Sequence, residues 1–214
     1  GSNYSAAGYL RPPTIKIEAI GEENLVYNLT NQYSITEGQV LETLAGVCDG
    51  RSITVSSGTY TLGSVTAYQD LTTTYALITG SNVNYKPPIG TKQVIYKLYV
   101  HAYGKDPTST SGSGNLLHHV VRLDGTEITS SKSTHRPGGQ YTEDQVCITY
   151  VIDIGNEDDL VNGKISSWDT LKTIEVYARE YSSNHEYSLH GVMNLDGSNT
   201  GNDNPTSIHQ PRIE

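Results

Sequence analysis

Hydrophobic and polar residues alternate with a period of two over several stretches, the longest being residues 92–103, KQVIYKLYVHAY. Val94, Tyr96, Leu98, Val100 and Ala102 fall on one face and Lys97, Tyr99, His101 and Tyr103 on the other, which predicts a strand with one side in a core and one in water. Residues 171–181, LKTIEVYAREY, repeat the pattern with Ile174, Val176 and Ala178 inward and Thr173, Glu175, Tyr177, Arg179 and Tyr181 outward. That outward row is a candidate contact surface. In residues 145–153, QVCITYVID, the set Val146, Ile148, Tyr150 and Ile152 alternates with Gln145, Cys147, Thr149 and Val151. Both sets are apolar enough to predict a central strand.

Turn residues separate these runs in the manner of antiparallel hairpins. Asp49-Gly50 divides LETLAGVC from RSITVSSG, and Asp124-Gly125 divides LLHHVVRL from TEITSS; Asp-Gly favours the two-residue turns that match strand twist. A third pair, Asp196-Gly197, opens a Ser-, Asn- and Gly-rich tract without periodicity, which predicts a loop or linker. Pro87-Pro88, GKDPTSTSGSG and STHRPGGQYTED likewise read as connections. Residues 36–48 carry two patterns. Thr36 with Gln39 resembles a capping box before a helical stripe of Val40, Leu44 and Val47, whereas Gly46 and the Val47-Cys48 ending favour a strand. The strand is the preferred reading.

The elements predict an all-β, antiparallel β-sandwich. Gly1-Ser2 reads as a cloning remnant, residues 3–36 as an N-terminal connecting segment with a strand, and residues 37–195 as the sandwich. Residues 196–214 read as a C-terminal linker and the start of a further repeat, because Pro13-Thr14-Ile15-Lys16 is echoed by Pro211-Arg212-Ile213-Glu214. Composition agrees: of 214 residues only 17% are charged, with 21 Gly, 16 Tyr, 1 Trp and no Phe. Tyrosine can lie half-buried with its hydroxyl in water, which suits contact surfaces. The net charge of −9 and the absence of a Lys/Arg cluster argue against a nucleic-acid partner. No apolar run is long enough to span a bilayer.

Candidate chemistry is sparse. No nucleophile elbow, phosphate-binding glycine loop or HExxH motif occurs, so the expectation is a protein that is not an enzyme and carries no catalytic residues. His118 and His119 are adjacent and would point to opposite faces of a strand, so they cannot share a metal. His119 lies in register with Leu117, Val121 and Leu123 and reads as a hydrogen-bonded core histidine. The acidic run around Glu157-Asp158-Asp159 lacks calcium-loop spacing and reads equally as a solvated turn; no cofactor is expected, with calcium there the remaining option. Cys48 and Cys147 could form one disulfide or remain buried thiols, since spacing alone does not establish their approach. Trp168 could stack on a sugar or plug the end of the sandwich. With Tyr177, Arg179, Tyr181 and Tyr141 it makes up the candidate ligand-binding set.

Four stretches together resemble structural and fibre-like proteins of marine algal viruses and marine bacteriophages. They are GQVLETLAGVCDGRSITVSSGTYTLGSVTAYQ, LITGSNVNYKPPIGTKQVIYKLYV, VVRLDGTEIT and WDTLKTIEVYAREYSSNHEYSLHGVMNLDG. The resemblance implies a jelly-roll head, similar to the complement C1q and tumour necrosis factor type and often homotrimeric. It further implies a place on the virion surface or outside the cell, contacts with other virion proteins, and attachment of a host-surface glycan or protein receptor through loops. The sequence departs from the pattern at NLDG, where an aromatic pair often precedes Asp-Gly, so a shared aromatic contact at residues 193–195 is not implied. Two other readings stay open: a monomeric carbohydrate-binding module of a secreted protein, and a structural spacer without a ligand.

Overall fold

A computed structural model describes residues 38–104, 116–136, 143–155, 157–183, 186–192 and 207–214. The N-terminal segment 3–36, Tyr141 and the Asp196-Gly197 turn lie outside the described residues. In chain order the strands are β1 (Gly46–Val47), β2 (Ser52–Val55), β3 (Gly58–Thr61), β4 (Gln69–Asp70), β5 (Ala76–Leu77), β6 (Val83–Tyr85), β7 (Gln93–Gly104), β8 (Leu117–Leu123) and β9 (Thr126–Glu127). They continue as β10 (Ser133–His135), β11 (Glu143–Ile154), β12 (Lys164–Ile165), β13 (Lys172–Glu180), β14 (Tyr187–Leu189), β15 (Gly191–Val192), β16 (Ser207–Ile208) and β17 (Arg212–Ile213). Among the described residues the only helical pieces are two 3-10 turns, Thr129–Ser131 and Leu160–Asn162.

Sheet one runs β1-β17-β7-β11-β12, with β14 on β7 and β4 on β14. Sheet two runs β10-β8-β13-β5, with β6 on β13 and β9 on β8. Apart from the short β11–β12 contact, every strand pair is antiparallel. The all-β antiparallel sandwich expected from the alternation is therefore the observed fold.

Strand alternation fills the core as read. Val94, Tyr96, Leu98, Val100 and Ala102 of β7 are buried, as are Val146, Ile148 and Ile152 of β11 and Ile174, Val176 and Ala178 of β13. Burying each of the larger side chains contributes about 1.5–3 kcal/mol. Polar atoms that enter the core bring partners with them. Tyr96 Oη donates to Ser81 O at 2.5 Å, and Ser81 Oγ joins the Val176 backbone, accepting from its N–H at 3.1 Å and donating to its carbonyl at 3.2 Å. Asp124-Gly125 makes the expected β8–β9 hairpin, with Leu123 opposite Thr126 and positive φ at both turn residues (49° and 75°).

Several sequence expectations are corrected. Asp49-Gly50 does not close a hairpin, because β1 pairs with β17 and β2 turns back on β3 through Ser56-Ser57. In residues 38–48 only Gly46–Val47 is strand, and no helix forms there. Tyr103, placed outward by the alternation, is buried because β14 pairs beside it. β11 lies between β7 and β12 in the sheet order; β7 pairs along Glu143 to Asp153, whereas among the described residues β12 reaches only Asp153 and Ile154 on the other side. Its alternate side chains Gln145, Cys147, Thr149 and Val151 are exposed. Residues 207–214, read as the start of a further repeat, belong to this domain. β17 lies between β1 and β7, Ile213 is buried, and Lys97 and Glu214 exchange backbone hydrogen bonds of 2.7 and 3.0 Å.

The β1–β17 edge meets the loop after β3 at a close crossing. A Cβ on Gly63 would lie 2.8 Å from Gly80 Cα, and one on Gly80 would lie 2.5 Å from Val65 Cγ2 and 3.2 Å from Pro211 Cγ. Gly80 also has φ +82°, a conformation that disfavours a side chain. Gly80→Ala is expected to destabilise the fold by about 2–4 kcal/mol, read as a lower midpoint in denaturant unfolding; an unchanged midpoint would contradict this packing.

Candidate functional site

The outer face of sheet two gathers the outward residues of β8, β13 and β5 with the residue before β5. Pleat and register decide which side chains meet: Tyr177 pairs with Val120 and Leu77, Arg179 with His118, and Glu175 with Arg122. The Arg122 guanidinium carbon lies 3.9 Å from the centre of the Tyr177 ring, and that of Arg179 lies 5.4 Å from the Tyr75 ring. Both distances are within cation–π range. Arg179 Nη1 donates to Glu180 O at 2.9 Å and to Tyr181 O at 3.4 Å. Tyr181, 54% exposed, packs its ring 5.8 Å from His118, whose Nδ1 hydrogen-bonds Thr134 Oγ1 at 2.7 Å. Burial, and then the Arg179 charge, lower the His118 pKa. The face is thus a half-buried sheet of arginine, tyrosine and histidine.

Three residues of the candidate ligand set, Tyr177, Arg179 and Tyr181, meet on this face, whereas Tyr141 lies outside the described residues. Trp168 does not join them. It is 4% exposed, donates its indole N–H to Tyr85 O at 3.0 Å and packs edge-on against the Tyr85 ring, so it closes the core and cannot stack on a ligand. Arg122 and Tyr75 were missed in the sequence. Arg122 could have been found from its alternation with His118 and Val120; Tyr75 could not, because only pairing with β13 brings it onto the face.

Of the two readings of the cysteines, the bridge is not formed, and only Cys48 is a buried thiol. Both cysteines are free, Cys48 buried and Cys147 exposed, because Cys48 faces the core and Cys147 the outer side of β11. His119 is a core histidine as expected, but its Nδ1 has no hydrogen-bond partner. Burial, with His135 and His118 adding repulsion, lowers its pKa to about 4. A polar groove of about 450 Å³ runs beside it between β10 and β11, past Thr134, His135, Val146 and Tyr150. There His135 Nε2 meets Asp144 Oδ2 at 2.9 Å and the Ser130 and Tyr150 hydroxyls bond at 2.6 Å. The acidic turn is satisfied internally: Asp158 accepts from Ser166 N (2.7 Å) and Oγ (2.9 Å), and Glu157 pairs with Lys164 at 2.5 Å. Among the described residues no group of three or more His, Cys, Asp or Glu is placed to hold a metal.

A second histidine group anchors the C-terminal segment. His190 is fully buried at φ +67°. Its backbone N–H donates to His101 O at 2.8 Å and its carbonyl accepts from His209 N at 2.7 Å. The His101 and His209 rings lie 5.4 Å apart. Burial, then the neighbouring His209, lower the His190 pKa to about 4; a Thr79 backbone contact opposes this in part and His101 adds to it.

No family model matches the chain, and no curated protein matches it. Among solved structures, a chain in the structure of infectious bursal disease virus Gt strain aligns with 77% of this chain at 11% identity and a TM-score of 0.25. The alignment spans 42% of that chain's length. A score this low carries no argument about fold or role. No helix among the described residues is long and apolar enough to cross a membrane.

Two outcomes test this description. A histidine whose folded pKa lies below its unfolded value binds fewer protons when folded, so stability is full above pH 6.5 and falls as pH drops toward about 4 for His119 and His190. The loss is about 3 kcal/mol for each. Unfolding free energy measured between pH 7 and 5 is expected to slope downward toward acid, and His190→Asn, which suits positive φ, is expected to flatten that slope; a flat profile in the parent protein would refute the account. Thiol labelling is expected to modify Cys147 in the native state. Cys48, buried and with its pKa raised to about 11, should react only after unfolding; equal native rates at both would contradict their placement.

Proposed function

We propose that this chain is a non-enzymatic, virion-surface β-sandwich module that contributes to attachment, holding a host-surface glycan on the outer face of sheet two. The observation that carries this is the contiguous display of Tyr177, Arg179 and Arg122 on the β8–β13 ladder, with Tyr75 and Tyr181 beside them just outside the ends of β5 and β13. Side chains held by a rigid ladder lose little further freedom when a ligand binds, and tyrosine and arginine are the residue types that dominate such contacts. The viral setting rests on the resemblance to fibre-like virion proteins. The sheet face is preferred to the loops implied by that resemblance because Tyr177, Arg179 and Tyr181 meet on it, while Trp168 is closed off in the core.

Assembly as a homotrimer and contact with other virion proteins belong to the same reading. The outer face of sheet one would supply a modest contact through Ile95 and Val151, which are 52% and 39% exposed and face each other across the β7–β11 ladder. No cofactor and no catalytic group takes part.

Binding of the purified chain to a glycan array and to host cells tests the proposal, with Arg179→Ala and Tyr181→Ala as variants and Thr149→Ala on β11 as control. The two face variants are expected to weaken binding by at least about tenfold at a temperature where both remain folded, with Arg179→Ala lowering the unfolding midpoint slightly through loss of its bonds to Glu180 O and Tyr181 O. Retained binding in both, or loss in the Thr149→Ala control, would remove this face as the attachment surface.

A further inference from the structure

Resting on that reading of the face, we infer that its ligand is an acidic saccharide, bearing carboxylate or sulfate groups, bound by the guanidinium groups of Arg122 and Arg179. The two arginines stand apart from the cations around them. Lys132 pairs with Glu127 at 2.6 Å and Lys172 with Asp124 at 3.2 Å, so the borders of the sheet are neutralised. Arg122 and Arg179 form no ion pair with a described residue, although the chain carries a net charge of −9 and Arg122 has Glu175 opposite it on β13 and Glu127, which pairs with Lys132, opposite it on β9. Arg122 Nε is buried without a hydrogen-bond partner. A guanidinium left with unused donors and no direct ion pair favours an anionic oxygen arriving from outside, and its planar fork suits carboxylate and sulfate.

The same geometry narrows the class of ligand. Guanidinium groups lie over the Tyr177 and Tyr75 rings, so a neutral sugar stacking on those faces would have to displace a charge that an acidic group can instead engage. Tyr181 and His118 flank the arginines and add polar contacts suited to sugar hydroxyls. Two arginines and a histidine fit one or two acidic groups. They do not make the continuous cationic track that a phosphate backbone needs, and the surrounding negative charge opposes one.

The test measures binding of the full chain to immobilised dextran sulfate and polygalacturonate, with uncharged dextran and poly-glutamate alongside, at about 50 and 300 mM salt. Both acidic polysaccharides are expected to bind, and the other two to bind at least about tenfold more weakly. Arg122→Gln and Arg179→Gln should each weaken binding by about tenfold, Lys164→Gln on the distant acidic turn should not, and high salt should weaken binding. Arg122→Lys, which keeps the charge but loses the fork, should fall between the parent and Arg122→Gln and guards against a misfolded glutamine variant. Equal binding of uncharged dextran, indifference to both arginine variants, or no binding of either acidic polysaccharide would overturn the inference. Equal binding of poly-glutamate would overturn it in favour of an acidic peptide. The attachment reading would stand apart from this result if a neutral glycan bound with sensitivity to Tyr181→Ala alone, and would fall only with the array and cell experiment.

Discussion

The pairing of β7 with its neighbours is the constraint from which the remaining structure follows. Its twelve residues give β11 a ladder from Gln93 to Tyr103, and its other edge takes β17 at Leu98–Tyr99 and β14 at Ala102–Gly104. A strand paired on both sides must place each alternate side chain under the opposing sheet, and the inward row from Val94 to Ala102 does so without a polar interruption except Tyr96. The Tyr96 hydroxyl is tolerated because Ser81 O accepts it. Ser81 in turn ties the segment after β5 to the backbone of β13, so one buried hydroxyl chain links the two sheets. A donor left unmade at this depth would cost about 1–3 kcal/mol, which fixes how far the sheets can shift against each other.

The C-terminal strand is an insertion made possible by that edge of β7. β17 carries β1 on its far side, and the β1 end is held by Cys48 N donating to Pro211 O at 2.9 Å. Histidines 101, 190 and 209 crowd where the chain returns to this edge. Burial in low dielectric disfavours the charged forms of His190 and His209 and lowers their pKa values. The arrangement joins a distant piece of sequence to the core at the cost of acid sensitivity.

Once the inward rows are buried, the pleat leaves the outward rows of β8 and β13 side by side, and the chemistry of the outer face is a by-product of that register. Val120, on this outer side, is nonetheless fully buried, beside the Tyr177 ring that Arg122 covers. The arginine–tyrosine pairs therefore shield apolar surface and hold charge in place at once. Arg212 covers the Tyr99 ring on sheet one at 5.2 Å in the same way, but on sheet two the arginine–tyrosine pairs lie side by side across the β8–β13–β5 register.

The sequence alone determined the class of fold and which residues of β7, β11 and β13 face the core, because period-two alternation is a local property written directly in residues such as Val94 to Ala102 and Ile174 to Ala178. It also determined the Asp124-Gly125 hairpin, whose turn chemistry is contained in two residues, and it placed Tyr177, Arg179 and Tyr181 on one outward row. Only the tertiary structure decided which strands are neighbours. Alternation says which way a side chain points but not what lies beside it, so the short pairing of β11 with β12, the burial of Tyr103 and Trp168, the separation of Cys48 from Cys147 and the return of β17 were all beyond its reach. The same reason hid Tyr75, which the pairing of β5 with β13 across about a hundred residues brings under Arg179.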